Sequence, residues 1–538
     1  MMQTTHEVTN QPPPHEGYNA FTSNPWLVAA ARDLPVAGAA KALGEYVGSA
    51  EAQQAARDAN RNEPELHTHD RYGRRIDLVE FHPSYHALME KAVGAGVHSA
   101  AWTTKADGFA SRAVLHYLWN VLEQGTSCPL TMTFAGVQVL RQAPAIARSW
   151  EPKVLANSYD PRPLPHTLKS GVTLGMAMTE KQGGSDLRAV QTRADVGANG
   201  EYRLTGHKWF CSAPMSDAFF SLARLPEGVT CFFVPRSLPD GTRNPFFIQR
   251  LKDKCGNRSN ASSEIEYRDT LAWIVGEPGR GIATLIEMAH LTRFDIVVGT
   301  AAMMRSALAE ALHHARHREA FGRKLVDHPL MANVLADLTL EAQAAALLAF
   351  RLARSFDAGS VNGVGPADAR ERAVQRILTP VAKYWHCKRL PVMTVEAMEV
   401  LGGNGYVEEA PLARLYREAP LNGIWEGSGN VICLDVLRSM AKSAEGLNAL
   451  LEDMAAPGDA RLARHAQAIR DGLAASEGAE MAARRWVEML ALGTQAALMA
   501  RHASPAASEA FIATRIGGDG GRQFGTLPPS TPTGRILE

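Results

Sequence analysis

The sequence predicts a helical first domain, then a small β-domain, then a second helical region. Apolar residues recur at three- and four-residue spacing before about residue 177 and again after Gly281. Between these stretches, short alternating or β-branched runs are separated by Gly, Asn, Asp and Pro, which is typical of strands and turns. The length of 538 residues also exceeds what a single hydrophobic core normally holds. We therefore expect three or four domains in that order.

The change of pattern along the chain sets the predicted boundaries. Residues 1–177 are expected to form a helical domain with an extended N-terminal arm, and the helical pattern is clearest between Phe109 and Gln124. Residues 178–275 are expected to form a β-domain whose strand spacing suits a small antiparallel barrel or sandwich. Residues 276–442 are expected to form a helical bundle. Residues 443–538 are expected to be a terminal extension that binds DNA, helical to about Ala500 and rich in Gly and Pro after it.

Composition excludes several classes of protein. Lys plus Arg and Asp plus Glu both total 56, so no global charge excess attracts nucleic acid or anionic lipid, and any DNA-binding surface must be local. The six cysteines lack CxxC spacing, which argues against a disulfide framework or a zinc knuckle. No uncharged apolar run reaches the roughly 18 residues that span a bilayer. We expect a cytoplasmic protein with no membrane partner.

Three segments carry the chemistry: MTEKQGGSD at 178–186, GHKWFCS at 206–212 and IWEGSGN at 424–430. The paired glycines of the first allow close backbone approach, and the second places an aromatic pair in a strand-like run. The third places Glu426 just before a helix that begins near Gly429. Each segment also has an ordinary explanation: a polar turn, a core aromatic pair, and a carboxylate at a helix N-terminus.

Together the three segments resemble the flavin- and thioester-handling elements of the acyl-CoA dehydrogenase family, and in detail its AidB-like branch of alkylation-response flavoproteins. The resemblance covers roughly residues 80–440 and is looser at both ends. It implies an acyl-CoA dehydrogenase-like fold, with an α-helical N-terminal domain, a central antiparallel β-barrel domain, a C-terminal helical bundle and an extra terminal helical domain. It also implies FAD as cofactor. The sequence contains no GxGxxG motif, so the flavin is not expected in a dinucleotide-binding fold.

In the β-domain the resemblance assigns FAD contacts to the first two segments. Thr179 and Ser185 supply donors suited to a flavin carbonyl, a ring nitrogen or a pyrophosphate oxygen. Phe210 stands where the family usually has Trp, and Ser212 where it usually has Thr, so the apolar face is kept but the indole donor is lost. The predicted contacts here are Met178, Thr179, Gly183, Gly184, Ser185, Phe210, Cys211 and Ser212.

In the helical region the resemblance assigns contacts from a neighbouring subunit. Arg318 in HREAFG resembles the arginine that reaches the flavin diphosphate, and Phe321 resembles the aromatic on the adenine side. Gly402 and Gly403 in GGNGY resemble the loop that closes the same site. The contacts predicted around Glu426 are Ile424, Trp425, Gly427 and Asn430. These assignments imply a homo-oligomer, expected to be a tetramer, although an arginine such as Arg318, taken alone, is more often a solvated helix arginine.

Glu426 is the candidate catalytic base. The resemblance implies that it removes a proton alpha to a thioester carbonyl while a hydride leaves the beta carbon for flavin N5. Burial would raise the pKa of such a base toward neutrality, whereas a position at a helix N-terminus would lower it. Isovaleryl-type members place their base near Thr292–Asp295, where Asp295 is too short to serve as a second base.

The remaining charged clusters give a DNA hypothesis and no metal site. His313, His314 and His317 lack the motif of a third ligand, so no metal is expected. Arg438 and Lys442 share a helix face, and with Arg515 they are the residues we expect to contact DNA phosphates. Solvated helix charges remain an equal alternative for them. Without a recognisable reading helix, binding is expected to be non-sequence-specific.

Two functions follow, beside a third possibility of a structural relative that carries no flavin and is colourless. The first is an FAD-containing, AidB-like protein that binds duplex DNA and helps to protect it against alkylation, with at most weak acyl-CoA dehydrogenase activity. The alternative is a catabolic short- or branched-chain acyl-CoA dehydrogenase that passes electrons to an electron-transfer flavoprotein. An acyl-CoA ligand is expected in the second case and remains open in the first.

Overall fold

A computed structural model of the chain describes residues 5–198, 200–474 and 480–538. The chain divides into two compact units. We call residues 31–296 the β-unit, and residues 1–30 with 297–538 the helical unit. Of the described residues, 5–30 therefore cluster with the C-terminal helices, whereas the sequence analysis grouped them with residues up to 177.

Helices dominate the chain before the barrel, as predicted, but a two-stranded hairpin interrupts them. The elements are α1 (Pro25–Ala31), α2 (Ala37–Val47), α3 (Ala50–Arg61), β1 (Glu65–His69), β2 (Arg75–Glu80), α4 (Pro83–Gly94), α5 (Ala100–Thr103), α6 (Gly108–Leu122), α7 (Ser127–Leu140) and α8 (Pro144–Val154). Strands β1 and β2 are antiparallel. Helices α6 and α7 are buried along most of their length, so they form the centre of the helical layer.

The β-unit continues as a closed barrel. Its strands are β3 (Leu174–Ala177), β4 (Arg193–Val196), β5 (Tyr202–Ser212), β6 (Ala218–Leu225), β7 (Gly228–Pro235), β8 (Phe246–Leu251) and β9 (Ser262–Val275). The ring runs β4, β5, β9, β7 and β6, and it closes because β6 pairs with both β7 and β4. Strands β3 and β4 pair with β6 in parallel, and the other pairs are antiparallel. The predicted barrel is confirmed, with these parallel pairings as an addition.

The helical unit is built on long helices. Helix α9 (Gly281–His317) begins in the β-unit and continues here, followed by β10 (Glu319–Ala320), β11 (Arg323–Lys324), α10 (Pro329–Ala358), α11 (Ala369–Leu401), α12 (Pro411–Glu418), α13 (Gly429–Lys442), α14 (Ala444–Ala455), α15 (Ala460–Ala474), α16 (Ala483–His502), α17 (Pro505–Phe511) and α18 (Thr533–Leu537). Helices α10 and α11 pack together, and α16 packs against both.

Helix α10 is a core helix that carries buried charges. In the described part of the chain it alone has the length and apolarity of a membrane span, and 72% of the apolar window is buried. Its buried Asp337 forms an ion pair with Arg515, and its buried Glu341 pairs with Arg389 at 3.0 Å. Buried carboxylates of this kind are tolerated when an opposite charge and hydrogen bonds accompany them.

The terminal segment shares a core with α10. Leu462 of α15, Phe511 of α17 and Ile536 of α18 cluster with Leu340 and Ala344 of α10. The helical pattern predicted to about Ala500 is present in α14, α15 and α16, while residues 475–479 within it lie outside the described chain.

Candidate functional site

A buried ion pair fixes the 178–186 loop to the barrel. Glu180 Oε1 accepts from Lys208 Nζ of β5 at 2.8 Å, and both side chains are completely buried. Glu180 also accepts from the backbone N–H groups of Gln191 and Thr192, and Lys208 donates to the carbonyl of Leu222. Burial alone would raise the pKa of Glu180, but the charge of Lys208 and these hydrogen bonds lower it to about 2. Sequence analysis missed this role, since it treated Glu180 only as part of a polar turn.

The two glycines of this loop differ in the space around them: Gly183 faces open space, whereas Gly184 is tightly packed. Gly183 has φ +144° and no neighbouring atom within 4 Å of the position that a Cβ would occupy, so its backbone faces open space. A Cβ on Gly184 would lie 2.4 Å from Thr179 Oγ1, so only glycine fits against that hydroxyl. The Trp209 N–H donates to the Thr179 carbonyl at 2.8 Å. The loop and the end of β5 are therefore brought together.

The end of β5 presents an aromatic surface flanked by a cation. Phe210 is 49% exposed, and Lys252 Nζ lies 3.3 Å from the ring centre of Trp209 and 4.8 Å from that of Phe210. Ser212 Oγ lies 3.2 Å from Ser262 Oγ. Cys211 differs, because its thiol is fully buried and burial raises its pKa to about 12. Its side chain therefore lies in the barrel core and offers no contact at the surface.

In the helical unit, Arg318 and Phe321 flank the first strand of a tight hairpin. Strands β10 and β11 pair across a two-residue loop, Phe321–Gly322, whose φ values are +52° and +82°. Two successive positive φ values are typical of a type I′ turn, which is unusual for phenylalanine. The Phe321 side chain is 97% exposed. This hairpin holds a large apolar ring outward, where another molecule could cover it.

The backbone of Gly402 and Gly403 in the 402–406 loop also faces open space. Gly402 has φ +60°, and neither Gly402 nor Gly403 has any atom within 4 Å of an added Cβ. Tyr406, at the end of the loop, is 79% exposed. Glycines that face open space leave their backbone accessible to a ligand.

The Glu426 segment is a strained turn before α13. Glu426 is partly buried and has φ +58°, and Gly427 follows with φ +108°. Lys383 of α11, itself buried, donates from Nζ to the Gly427 carbonyl. Non-glycine residues in the left-handed region cost about 1–2 kcal/mol and concentrate at functional sites. The strain agrees with a functional position for Glu426.

The other predicted residues of the 424–430 segment differ in their exposure and in their contacts. Ile424 is 66% exposed and Trp425 is partly buried. Asn430 is exposed at the start of α13, and its Oδ1 accepts from Arg484 Nε of α16 at 2.9 Å. Helix α16 belongs to the terminal segment, so that segment contacts the helix that follows Glu426.

Asp295 is engaged in the core of the β-unit. It is 1% exposed, it forms an ion pair with Arg112, and it accepts from Thr131 Oγ1 at 2.7 Å. His116 lies 3.7 Å away, and burial lowers its pKa to about 4. The Asp295 carboxylate is therefore engaged by Arg112 and Thr131 within the core of the β-unit.

The three predicted DNA contacts divide into two kinds. Arg438 and Lys442 are exposed on α13 and form no hydrogen bond or ion pair within the described residues. Arg515 instead pairs with Asp337 and lies 3.6 Å from Glu341, and its side chain is only 16% exposed. The structure thus does not bring Arg515 to the surface with the other two.

The β-unit also contains a cleft that sequence analysis did not predict. It encloses about 770 Å³ of empty space open to solvent. Most of its lining is apolar or aromatic, and its polar residues are Glu80, His86, Asp160, Lys169, Thr173 and Ser216. The Ser216 hydroxyl is buried and has no hydrogen-bond partner within the described chain. A concave site that combines apolar and aromatic side chains with a limited set of polar groups is suited to a small molecule.

Comparison with known proteins covers most of the chain. Residues 10–161 match the adaptive response protein AidB N-terminal domain, residues 175–270 the acyl-CoA dehydrogenase middle domain and residues 279–441 the acyl-CoA dehydrogenase C-terminal domain. A protein of Escherichia coli strain K12 that is named AidB and assigned to the acyl-CoA dehydrogenases is 46% identical over 449 residues, which cover 82% of this chain and 81% of that protein. The chain belongs to the acyl-CoA dehydrogenase family, in its AidB-like branch.

Solved structures agree with this family assignment. ACDH-11 of Caenorhabditis elegans in complex with C11-CoA has a TM-score of 0.86 at 26% identity, and the match covers 96% of this chain and 93% of that one. The apo form of Bd2924 has a TM-score of 0.80 at 27% identity, with 91% and 98% covered. An acyl-CoA dehydrogenase of Bacillus anthracis complexed with FAD shares the fold, with a TM-score of 0.64 at 18% identity and 81% of each chain covered.

FAD is the cofactor of this acyl-CoA dehydrogenase family, and the residues of this chain fit it. Phe210, Phe321 and Ile424 are predicted contacts that expose large apolar side chains. Gly183 and Gly402 leave open space around their backbones. An isoalloxazine or adenine ring would cover such apolar surface, and backbone N–H groups suit its carbonyl and phosphate oxygens.

Proposed function

We propose that this chain is an FAD-containing, AidB-like protein that binds duplex DNA without sequence preference and helps to protect it against alkylation. It acts in the cytoplasm as a homotetramer and retains at most weak acyl-CoA dehydrogenase activity. The observation that carries the DNA proposal is that Arg438 and Lys442 are exposed and have no carboxylate partner in the described chain. They lie one helical turn apart on α13.

Unpaired surface cations are well suited to phosphate. Each phosphate that a Lys or Arg neutralises releases condensed counterions, which makes binding strongly dependent on salt. Arg515 is a weaker candidate, because a phosphate would have to compete with Asp337 and Glu341 for its guanidinium. Helix α13 therefore carries the proposed contact, and symmetric copies in a tetramer would multiply it.

The DNA proposal is tested by measuring the affinity for a duplex of about 30 base pairs and arbitrary sequence over a range of salt concentrations. We expect binding that weakens steeply with salt. Arg438→Ala and Lys442→Ala should each reduce the slope of log affinity against log salt by about one. Arg485→Ala, an exposed arginine of α16, serves as the matched control. Absence of binding at low salt, or an equal loss in all three variants, would refute the proposal.

Protection is a separate step with its own readout. A bound protein should lower the rate at which dimethyl sulfate methylates guanines in the duplex, and the Arg438→Ala variant should lower it less at equal protein concentration. If methylation proceeds at the same rate on bound and naked DNA, then DNA binding does not shield the bases and the protective role is wrong.

The dehydrogenase chemistry rests on Glu426. When bound, FAD supplies the acceptor for a hydride. The chain would contribute the Glu426 carboxylate as the proton acceptor, on a turn that Lys383 fixes through the Gly427 carbonyl. The similarity to ACDH-11, which was solved with C11-CoA, supports an acyl-CoA ligand. We assign the acyl chain to the cleft of the β-unit, whose apolar lining includes Phe81, Met89 and Met215.

Anaerobic titration of the yellow protein with short and medium acyl-CoA thioesters tests this part. We expect slow bleaching of the flavin that Glu426→Gln abolishes, and weaker binding of medium chains in Ala213→Trp, which would fill the cleft. Rapid bleaching with efficient electron transfer to an electron-transfer flavoprotein would instead favour the catabolic alternative. No bleaching by any thioester would leave DNA binding as the function.

A further inference from the structure

The N-terminal arm, residues 8–24, lies along the C-terminal end of α9 within the helical unit. It has no helix or strand of its own before α1. Three consecutive prolines, Pro12 to Pro14, restrict it to an extended conformation. Several arm residues contact the part of the chain that contains Arg318 and Phe321. A stiff arm loses little conformational entropy when it binds, which favours a stable attachment.

Asn10 holds the first strand of the Phe321 hairpin. Its Oδ1 accepts from the Glu319 N–H and its Nδ2 donates to the Glu319 carbonyl, both at 2.8 Å. The carbonyl of Asn10 accepts from Arg318 Nη1. Asn10 has φ +56°, a conformation that asparagine tolerates better than most residues. A single arm residue thus fixes both the backbone beside Phe321 and the guanidinium of Arg318.

The next arm residue reaches the second segment. Asn404 Nδ2 of the 402–406 loop donates to Gln11 Oε1 at 3.5 Å, which is a long contact. Asn10 and Gln11 therefore lie between two segments far apart in sequence. Both segments are predicted to serve the same part of FAD.

A histidine cluster anchors the arm. The His15 ring stacks on Tyr18 at 4.3 Å and on His313 of α9 at 4.6 Å, and its Nδ1 lies 2.9 Å from Glu310 Oε1. His313 Nε2 donates to the Pro13 carbonyl at 2.8 Å. These histidines, which lack the arrangement of a metal site, are occupied in attaching the arm. Their contacts make the position of Asn10 a property of the fold.

Arg318 remains able to bind an anion. It forms no ion pair with a carboxylate in the residues the structure describes, and the Asn10 carbonyl takes up one of the five N–H donors of a guanidinium. Its other donors suit two phosphate oxygens. The contact with Asn10 restricts the rotamers of Arg318 and so reduces the entropy that phosphate binding would cost.

We propose that Asn10 is a positioning residue for the diphosphate and adenosine of FAD, acting through Arg318 and the Phe321–Gly322 turn. The inference rests on the proposed flavin function. It gives the N-terminal arm the task of preparing the distal half of the cofactor site. The isoalloxazine half, which involves the β-unit residues, does not depend on it.

The test is the dissociation constant of FAD and of FMN for the full-length apoprotein, measured by flavin fluorescence. Asn10→Gly removes the amide but still permits the left-handed backbone, so it separates the contact from strain. We expect this variant to weaken FAD binding about tenfold and to leave FMN binding unchanged, since FMN lacks the adenosine half. Arg318→Ala should weaken FAD binding at least as much, and the double variant no further.

One control variant and several contrary outcomes test the positioning role of Asn10. Asn62→Ala removes an exposed asparagine contact at the end of α3 and should leave both constants unchanged. Unchanged FAD affinity in Asn10→Gly, an equal loss for FAD and FMN, or additive effects with Arg318→Ala would each refute the positioning role. If the unmodified protein binds no FAD, then the proposed flavin function has failed, which is a different result. Full recovery of FAD affinity by Asn10→Asp would also contradict the proposal, because a carboxylate cannot donate to the Glu319 carbonyl.

Discussion

Arg484 of α16 donates from Nε to Oδ1 of Asn430, 2.9 Å away, at the first turn of α13. Helix α13 begins directly after the Glu426 turn and carries Arg438 and Lys442 in its last turns. The terminal segment therefore contacts the same helix that holds the proposed base at one end and the proposed DNA contacts at the other.

Arg484→Ala is expected to loosen the start of α13. An exposed hydrogen bond contributes only about 0.5–1.5 kcal/mol, so the melting temperature should change little. The rate of flavin bleaching by acyl-CoA should nevertheless fall several-fold, because Glu426 loses part of its support. Stopped-flow absorbance gives the rate, and Arg485→Ala on the same helix is the control. Equal rates in the two variants would show that the contact has no functional consequence.

The left-handed backbone conformation of Glu426 is expected to lower the free energy of unfolding. Glu426→Gly and Glu426→Ala both remove the carboxylate, but only alanine keeps a Cβ at φ +58°. The glycine variant should therefore be more stable than the alanine variant by about 1 kcal/mol. Urea unfolding of the two proteins measures the difference. A more stable alanine variant would mean that the turn relaxes and stores no strain.

The Glu180–Lys208 pair is expected to be essential for the loop that precedes β4. Glu180→Gln leaves Lys208 buried without its counter-charge, which should cost about 3–5 kcal/mol of unfolding free energy. Burial lowers the pKa of Lys208 to about 8, so the ammonium is still charged at neutral pH. The double variant Glu180→Gln with Lys208→Met should recover part of the loss in urea unfolding. No recovery would indicate that the hydrogen bonds to Glu180 matter more than the charge.

The same pair predicts a dependence on acid. Because the folded pKa of Glu180 is about 2, below its ordinary value of 4.5, the stabilisation is complete above pH 4.5 and is lost as the pH falls toward 2. The difference in unfolding free energy between the unmodified protein and Glu180→Gln should therefore shrink over this interval. A constant difference would show that Glu180 does not titrate there.

Arg515 and Arg438 are expected to give opposite phenotypes. Arg515→Ala leaves the 2% exposed Asp337 carboxylate without its partner and should lower the unfolding free energy by about 3–5 kcal/mol. Its effect on the salt slope of DNA binding should be small. Arg438→Ala should change the slope and leave the unfolding free energy nearly unchanged. A large change of slope in Arg515→Ala, in protein that is still folded, would restore it as a DNA contact.

The sequence by itself determined the order of structural classes and the family, whereas its strand spacing left a barrel or a sandwich open and only the family resemblance implied the barrel. Periodicity distinguishes helix from strand because side chains must alternate between core and solvent with the period of the element. The motifs around Gly183, Phe210, Arg318 and Glu426 indicated the family, because they resemble its flavin- and thioester-handling segments.

Only the tertiary structure decided which charges and polar groups face inward. Arg515 and Arg438 are both arginines on helical segments, and no local pattern shows that one meets Asp337 of a distant helix while the other faces solvent. Glu180 and Lys208 lie 28 residues apart in the sequence, and Asn10 reaches Glu319, which lies 309 residues further along the chain. Such contacts depend on how distant elements pack, whereas periodicity and motif spacing depend on neighbours along the chain.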